Sequence, residues 1–251
     1  MNQEALISGR GLARHFGGIK AVQGVDIAIP RGEFRSIVGP NGAGKTTLFN
    51  MLARQLEVTA GSIWFKNVEI THVPSHDLPR LGIARTFQKT SLFTNLTIRE
   101  NIRLAVQAKK VSSYSMFRRA DAYTEVSETA QKIIDRLMLH PIADLLVSET
   151  SHGDHRVAEV AVALGSDPEV LLLDEPMAGM SPTETERTVA ILKELKSSIT
   201  IVLIEHDMDV VRQLSDRVTV MDLGKVIAEG TAQEVQNDPA VQSAYLGVEV
   251  E

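Results

Sequence analysis

A phosphate-binding loop pattern, G-x-x-x-x-G-K-S/T, runs from Gly39 to Thr46 and constrains the fold more than any other feature of the sequence. Residues 34–38, which are apolar and β-rich, precede the pattern, and residues 47–53 continue from it as a helix. A strand before the loop and a helix after it are the context that gives this pattern its meaning. The sequence therefore predicts an α/β fold that binds a nucleoside triphosphate. The alternative, a glycine-rich turn that only closes a βα unit, remains open at this point.

The residue types of the loop suit phosphate. Its glycines allow backbone conformations that a Cβ atom forbids, so successive N–H groups can turn toward an anion. The following helix adds the unpaired N–H groups and the dipole of its N-terminus. Lys45 is expected to place its charge on the β- and γ-phosphates, and the Thr46 hydroxyl to bind Mg²⁺. The residues predicted to hold the nucleotide here are Gly39, Pro40, Asn41, Gly42, Ala43, Gly44, Lys45, Thr46 and Thr47.

The charge balance and the apolar pattern argue against several classes of protein. The 26 basic and 32 acidic side chains give a net charge of −6, which disfavours a general nucleic-acid-binding protein and makes a membrane surface unattractive. The longest apolar runs are too short to span a bilayer, and no signal peptide is visible after Met1. The absence of cysteine excludes disulfides and thiolate metal sites and is compatible with a reducing cytoplasm. We therefore expect any membrane association to depend on a partner protein.

Local patterns predict a β-rich N-terminal part with an antiparallel character. Turn residues punctuate β-favouring runs, which indicates short strands within residues 5–37. Further strands are expected over 61–68 and 81–88, and an exposed loop over 89–96.

The middle of the chain, about residues 97–166, is predicted to be helical. Thr97 and Glu100 have the spacing of a capping box at a helix N-terminus. Later in the segment, apolar residues recur three and four positions apart, as on one face of a helix. The predicted elements are a helix over 98–108, a basic, Ser-rich surface loop over 109–119 and a helix over 119–139.

The last part of the chain alternates strands and helices. Continuous apolar runs at 170–173 and 199–204 predict strands buried on both faces, as in a parallel sheet. The other predicted elements are helices over 183–195 and 207–214, a hairpin over 217–229 and a helical tail over 238–246. We expect one domain over residues 1–251, with a nucleotide-binding core of about 1–96 and 167–251 and a helical subdomain of about 97–166.

Two adjacent carboxylates, Asp174 and Glu175, follow the buried strand at 170–173. Parallel sheets hold their ligands at the carboxyl ends of strands. In a protein with a phosphate loop, an acidic residue at this place can bind Mg²⁺, which we assign to Asp174. Glu175 is then free to polarise the attacking water as a general base. Without the phosphate loop, such a pair is more often a solvated turn.

At this point the chain resembles the ATP-binding subunits of ABC transporters over nearly its whole length. The family's order and spacing are matched by the phosphate loop, Gln88, the signature-like segment Ser151-His152-Gly153-Asp154, the pair Asp174-Glu175, and His206. The resemblance implies the ABC ATPase cassette, a phosphate-loop NTPase with a mainly parallel sheet core, an N-terminal antiparallel β region and a helical subdomain. In such proteins two cassettes sandwich two ATP molecules head to tail, so that each site needs the partner's signature segment.

The resemblance also implies roles for single residues. Phe16 matches the aromatic residue that stacks on adenine, although alone it reads as a core or turn residue. Gln88 matches a glutamine that senses Mg²⁺ and water, while the loop Lys89–Leu96 touches the membrane partner. His206 matches a switch histidine that contacts the γ-phosphate, although a single histidine after a strand is ordinarily structural. The signature residues expected to meet the opposite cassette's nucleotide are Ser151, His152, Gly153 and Asp154.

Three residues depart from the family pattern. Thr150 stands where leucine is usual, His152 where glycine is frequent, and Ser181 where an aspartate is expected. His152 and the loop around Ser181 look like those of branched-chain amino acid and urea importers, and the ending Ala244–Gly247 is similar to the former. Thr150 has no such parallel, and its hydroxyl in an apolar contact is expected to weaken the signature helix.

The resemblance implies an ATPase that drives a membrane permease, with ATP and Mg²⁺ as cofactors. The implied partners are a second cassette, identical or not, polytopic permease subunits and, indirectly, a solute-binding protein, with no nucleic acid. The chain would then lie at the cytoplasmic face of the membrane. Branched-chain or other amino acids are the favoured cargo. The alternatives are a urea importer, a lipopolysaccharide exporter, a nucleic-acid-maintenance ATPase, or a regulatory nucleotide-binding module without turnover.

Overall fold

The computed structural model describes residues 5–86, 92–110 and 120–246. The strands are β1 (Ala5–Phe16), β2 (Ile19–Pro30), β3 (Phe34–Val38), β4 (Ala60–Phe65), β5 (Val68–Glu69), β6 (Ile83–Arg85), β7 (Val170–Asp174), β8 (Thr200–Ile204), β9 (Arg217–Asp222) and β10 (Lys225–Gly230). The helices are α1 (Lys45–Leu52), α2 (Leu78–Leu81), α3 (Ile98–Lys110), α4 (Ala120–Arg136), α5 (His152–Leu164), α6 (Pro182–Leu195), α7 (Met208–Leu214), α8 (Ala232–Gln236) and α9 (Pro239–Leu246).

The N-terminal strands form an antiparallel sheet in the order β2-β1-β4-β5. The prediction of short strands within residues 5–37 was wrong for β1 and β2, which are each twelve residues long. Register shifts interrupt their pairing, and the internal glycines that suggested strand ends lie at these irregularities. The prediction of one strand over 61–68 was also wrong at its end. Lys66 and Asn67 both take positive φ, so the chain turns there and returns as β5.

A second, six-stranded sheet has the order β10-β9-β3-β8-β7-β6 and is parallel except at the β9–β10 hairpin. Every residue of β3, β7 and β8 is buried, as the continuous apolar runs predicted for β7 and β8. The strand predicted over 81–88 begins later than expected. Leu81 ends α2, Gly82 takes the left-handed conformation that terminates a helix, and β6 starts at Ile83. Together the two sheets and the helices confirm the predicted fold class.

Helices α3, α4 and α5 pack against one another beside the parallel sheet. The predicted capping box is present, since the Thr97 hydroxyl accepts a hydrogen bond from the Glu100 N–H and the Glu100 carboxylate accepts one from the Thr97 N–H. The loop predicted over 109–119 was wrong for its first two residues, which continue α3, and its remainder lies outside the described residues. Side chains of these helices share one apolar core with β7 and β8. No helix in the described ranges is both long and apolar enough to cross a bilayer.

Candidate nucleotide site

The site predicted from sequence lies at one edge of the parallel sheet. Strands β3, β8 and β7 are neighbours in that order and run in the same direction. The phosphate loop follows β3, His206 comes two residues after β8, and Glu175 directly follows β7. Three segments that are far apart in the chain therefore end at one edge, where parallel sheets hold ligands.

The phosphate loop has the backbone that its glycines predicted. Gly39, Gly42 and Gly44 all take positive φ, of 147°, 82° and 98°. A Cβ atom on Gly39 would lie 2.1 Å from the Met221 carbonyl oxygen, and one on Gly44 would lie 2.3 Å from the Ala21 carbonyl oxygen. The loop thus packs closely between the parallel sheet and the start of β2. Steric overlap with the backbone excludes a side chain at Gly39 and at Gly44.

Lys45 lies at the start of α1 and folds back over the loop. Its ammonium group donates hydrogen bonds to the carbonyl oxygens of Gly39, at 2.7 Å, and Pro40, at 2.9 Å. Burial lowers the pKa of Lys45, and the charge of Glu175 raises it. The carboxylate of Glu175 is therefore electrostatically coupled to the phosphate loop.

Glu175 has a backbone conformation that is unusual for its residue type. Its φ is +46°, a region that costs a non-glycine residue free energy and is found mostly at functional sites. Its N–H donates to the Ile204 carbonyl oxygen at 3.0 Å, which ties the turn after β7 to the end of β8. The sheet edge therefore fixes the backbone from which the Glu175 side chain projects.

The Asp174 carboxylate has the character of a metal ligand. The residue is only 3% exposed, and among the described residues neither carboxylate oxygen has a hydrogen-bond partner. Burial raises the pKa of Asp174, and the nearby Arg85 guanidinium opposes that shift. A buried acceptor without a donor is costly and is suited to a small cation with oxygen ligands. These residues therefore fit Mg²⁺, with Thr46 at the start of α1 as the second predicted ligand.

The segment at His206 contains a residue that the sequence analysis missed. Glu205 is 1% exposed, and its carboxylate accepts hydrogen bonds from the N–H groups of His206, at 3.0 Å, and Met177, at 3.4 Å. The His206 side chain itself is 70% exposed. The buried carboxylate thus joins the turn after β7 to the segment after β8 and leaves the imidazole available to a ligand.

Phe16 ends β1, opposite Ile19 of β2. Ala21 lies near the start of β2, and its carbonyl oxygen is packed against Gly44. The β1–β2 hairpin that carries Phe16 therefore lies beside the phosphate loop. The Phe16 side chain is 45% exposed, and the Arg14 guanidinium carbon is 4.8 Å from its ring centroid. The ring is therefore a surface residue directly before the turn at Gly17 and Gly18. The core half of the alternative was wrong, and its turn half remains open.

The signature-like segment forms the N-terminus of α5. The Ser151 hydroxyl accepts a hydrogen bond from the Asp154 N–H, and the Asp154 carboxylate accepts one from the Ser151 N–H, which completes a capping box. Arg187 pairs with Asp154 at 3.1 Å. The Thr150 hydroxyl donates to the Val147 carbonyl oxygen at 2.9 Å, so it has a partner in its own segment. Its expected effect on the signature helix stays a prediction.

Ser181 lies at the N-terminus of α6 and acts as its cap. The Ser181 hydroxyl accepts a hydrogen bond from the Glu184 N–H, and Glu184 accepts from the Ser181 N–H and hydroxyl. Serine and aspartate are both favoured at this position of a helix. The departure from the family pattern at Ser181 therefore preserves the local helix start.

The hydrogen bonds and ion pairs of residues 151–154 lead to their own helix and to α6. Within the described ranges, none of them reaches the phosphate loop of the same chain. The structure therefore brings together the loop, the carboxylate pair and His206, and leaves the signature segment apart. Gln88 and residues 89–91 of its loop lie outside the described residues.

Two further residues at the site escaped sequence analysis. Arg85 ends β6, donates to the Asn50 side chain at 2.8 Å and acts electrostatically on Asp174. Glu184 reaches Ser151 at 3.0 Å. The capping-box spacing from Ser181 to Glu184 was a readable signal for the local bond, whereas the contact with Ser151 depends on how α5 and α6 pack.

A groove of about 600 Å³ separates the sheet from the helical part. Residues of α2 and β6 line one side, and residues of α3 and α5 line the other. Alanines at 53, 84, 105, 108 and 163 make much of its surface small and apolar, and its charged lining residues are Arg80, Arg85 and Lys109. The groove adjoins the segment that leads to Gln88, because Arg85 is only three residues before it.

Comparisons with known proteins match nearly the whole chain. A family model described as "ABC transporter" matches residues 22–178, which is more than half of the chain. A second model, "Branched-chain amino acid ATP-binding cassette transporter", matches residues 225–251.

Curated relatives match over the same length. The high-affinity branched-chain amino acid transport ATP-binding protein LivG of Escherichia coli (strain K12) is 38% identical, and the match covers 97% of this chain and 98% of LivG. The corresponding protein BraF of Pseudomonas aeruginosa is 36% identical, with 94% and 96% covered.

Solved structures agree. The ADP conformation of MJ1267, an ATP-binding cassette of an ABC transporter, has a TM-score of 0.85 at 32% identity and covers 97% of this chain and 99% of its own. The dimeric structure of MJ0796, a bacterial ABC transporter cassette, has a TM-score of 0.77 at 25% identity, with 90% and 98% covered.

Proposed function

Because the chain belongs to the ABC transporter family of ATP-binding cassettes, we propose that it is the ATP-hydrolysing subunit of an importer for branched-chain amino acids. The structural observation that carries the ATPase assignment is the meeting of the phosphate loop, the Asp174–Glu175 pair and His206 at one sheet edge. The cargo assignment rests on the match of residues 225–251 and on the names of the curated relatives. Neither urea import, lipopolysaccharide export nor nucleic-acid maintenance is favoured by these matches.

Different residues of one cassette bind the phosphates and the adenine of the nucleotide. The backbone N–H groups of residues 41–47 and the Lys45 ammonium hold the β- and γ-phosphates. To reach the phosphates, Lys45 exchanges its hydrogen bonds to the Gly39 and Pro40 carbonyl oxygens for bonds to the ligand. Phe16 offers its exposed ring to the adenine.

The acidic and polar residues at the edge act on the γ-phosphate and the attacking water. Asp174, Thr46 and Gln88 are the proposed Mg²⁺ ligands, and the ion when bound neutralises phosphate charge and orients the β- and γ-oxygens. Glu175 accepts the proton of the attacking water, whose oxygen bonds to the γ-phosphorus as the bond from that phosphorus to the bridging oxygen breaks, so that ADP and inorganic phosphate are released. His206 donates a hydrogen bond to a γ-phosphate oxygen, from a backbone that Glu205 holds in place.

The site is completed by a second cassette. Ser151, His152, Gly153 and Asp154 lie at a helix N-terminus, which is suited to an anion, and their own chain's phosphate loop is not among their described contacts. A head-to-tail dimer would bring the partner's copy of this segment to the γ-phosphate. The dimeric form of the related cassette MJ0796 supports this arrangement.

The groove beside α3 and α5 is the proposed permease contact. Its small apolar lining suits a short helix from a cytoplasmic loop of the permease, and its cationic residues suit acidic side chains on that helix. The loop Lys89–Leu96, which follows the strand that lines the groove, is the second part of this contact. The chain would then lie on the cytoplasmic face of the membrane, with the solute-binding protein reached only through the permease.

Purification and transport together test this function. The chain is tagged, recovered from detergent-solubilised membranes, and its co-purifying proteins are identified. The complex is then reconstituted in proteoliposomes with ATP and assayed for uptake of labelled leucine and urea. Polytopic membrane proteins together with ATP-dependent leucine uptake are the expected result. Uptake of urea alone, or recovery of the chain with nucleic acid, would contradict the proposal.

A further inference from the structure

Glu184 lies in the first turn of α6, yet its carboxylate also reaches the N-terminus of α5. Oε2 accepts hydrogen bonds from the N–H of Ser181, at 2.9 Å, and from its hydroxyl, at 2.8 Å. Oε1 lies 3.0 Å from the Ser151 hydroxyl oxygen. One carboxylate therefore joins the loop after Glu175 to the signature segment.

The contact with the signature segment includes its backbone. The backbone N–H of Gly153 helps to lower the pKa of the Glu184 carboxylate. A Cβ atom on Gly153 would lie 2.4 Å from Oε1, so the carboxylate occupies the space that a side chain at this position would need. Glu184 thus lies directly against the first turn of α5.

The groups around Glu184 hold it as they would hold a bound anion. Hydrogen bonds from the Ser181 N–H, the Ser181 and Ser151 hydroxyls and the Gly153 N–H lower its pKa, so the carboxylate is ionised at neutral pH. In the part of the chain that is described, no lysine, arginine or histidine pairs with Glu184, whereas the neighbouring Asp154 is neutralised by Arg187. Neutral donors at the N-terminus of a thirteen-residue helix therefore stabilise the Glu184 charge.

These donors are the groups that the proposed function assigns to the partner's nucleotide. The Ser151 hydroxyl has one proton, for which Glu184 Oε1 and Asp154 Oδ2 already compete at 3.0 Å each, and it cannot donate that proton to a phosphate at the same time. Two anions at one set of donors also repel each other. A γ-phosphate that arrives at Ser151 and Gly153 must therefore displace Oε1.

We propose that the Glu184 carboxylate occupies, in the isolated cassette, the position that the partner's γ-phosphate takes when the dimer closes, and that its charge raises the ATP concentration needed for closure. This inference rests on the proposed head-to-tail dimer. Glu184 is a positioning residue, which acts on the nucleotide through Ser151 and Gly153. When Oε1 is displaced, Oε2 keeps its two bonds to Ser181, so α6 remains capped.

The test measures dimer formation against ATP concentration by sedimentation. The parent variant is Glu175→Gln, in which closed dimers are expected to accumulate because hydrolysis is slow. Glu184→Gln is added to it, since glutamine also serves in a capping box but carries no charge. We expect the ATP concentration at half-maximal dimer formation to be at least about threefold lower than in the parent variant. This difference should become smaller at high salt, which screens the charge of Glu184. Nucleotide affinity under conditions that keep the chain monomeric is expected to be unchanged.

A matched control is available at α8. Glu234 completes the same capping box with Thr231, whose N–H and hydroxyl donate to its carboxylate, and it makes no contact with residues 151–154. Glu234→Gln is expected to leave the ATP midpoint unchanged. A second variant, Glu184→Ala, removes the cap as well as the charge, and thermal unfolding reports its stability. If charge is the cause, this variant also lowers the midpoint even though it is less stable.

Three results would overturn the proposal. The first is a midpoint for Glu184→Gln equal to or above that of the parent, and the second is an equal shift in Glu234→Gln. The third is an ATP midpoint for Glu184→Ala above that of the parent, which would mean that Glu184 acts only as a helix cap. Failure of the Glu175→Gln parent itself to dimerise with ATP would instead contradict the head-to-tail dimer, and the Glu184 inference would fall with it.

Discussion

The Glu205 carboxylate accepts a hydrogen bond from the N–H of His206 at 3.0 Å and is almost completely buried. It also accepts one from the Met177 N–H, so a single side chain spans the turns that carry Glu175 and His206. This relationship means that Glu175, the proposed base, and His206 are both held by one buried carboxylate. Substitutions at Glu205 are therefore expected to act on catalysis through geometry.

The first prediction concerns the pH dependence of stability. Burial raises the pKa of Glu205, and hydrogen bonds from the His206 and Met177 N–H groups only partly oppose it. Ionisation is thus harder in the folded than in the unfolded chain, so this residue lowers the free energy of unfolding as pH rises from about 4.3 through the raised pKa. Glu205→Gln should lack this pH-dependent decrease in the free energy of unfolding. It should therefore be more stable than the wild type at neutral pH. Urea unfolding between mildly acidic and neutral pH measures it.

The exposed Glu194 provides the control for this experiment. Glu194→Gln should keep the wild-type pH dependence. A Glu205→Gln protein whose stability changes with pH in parallel with the wild type would show that Glu205 does not ionise in the measured range.

The second prediction tests the general base. Glu175→Gln should bind MgATP with nearly unchanged affinity and lose hydrolysis by on the order of 10² to 10⁴-fold, as for removal of a base. Single-turnover hydrolysis and equilibrium nucleotide binding separate the two effects. Glu186→Gln, on the exposed face of α6, should keep full turnover. Hydrolysis by Glu175→Gln within a few-fold of wild type would remove Glu175 from this role.

The third prediction concerns Asp174, whose two buried carboxylate oxygens have no hydrogen-bond donor in the part of the chain that the structure describes. Asp174→Asn should raise the free energy of unfolding of the nucleotide-free protein by about 1 kcal/mol, because a buried charge is removed. The same change should weaken Mg²⁺-dependent nucleotide binding by on the order of 10-fold or more. Chemical unfolding and isothermal titration with and without Mg²⁺ give both quantities. A variant that is less stable without nucleotide yet binds MgATP normally would exclude the metal-ligand role.

The fold could be predicted wherever the signal is local. The loop at Gly39–Thr46, the apolar runs of β7 and β8 and the Thr97 cap each specify their structure from neighbouring residues. The errors have local causes too. Lys66 and Asn67 turn the chain through positive φ, a conformation that a β-favouring run does not reveal.

The site was predictable in part for the same reason. Motif spacing identified Lys45, Asp174 and His206, but contacts across the fold are invisible to it. Ser151 and Glu184 are 33 positions apart, and their contact depends on how α5 packs on α6. Glu205 is adjacent to His206, yet only its burial shows that its carboxylate faces inward.

The last prediction concerns the groove between the sheet and the helical part. Ala108 is an exposed residue of α3 that lines the groove, whereas Leu104, one turn earlier and also exposed, does not line it. Ala108→Trp should fill the groove and reduce permease co-purification by on the order of 10-fold, since overpacking costs about 1–3 kcal/mol in a protein core and we expect a similar cost for a partner helix in this groove. Leu104→Trp should leave co-purification unchanged, and both variants should bind ATP normally. Equal recovery of the permease with both variants would move the contact away from this groove.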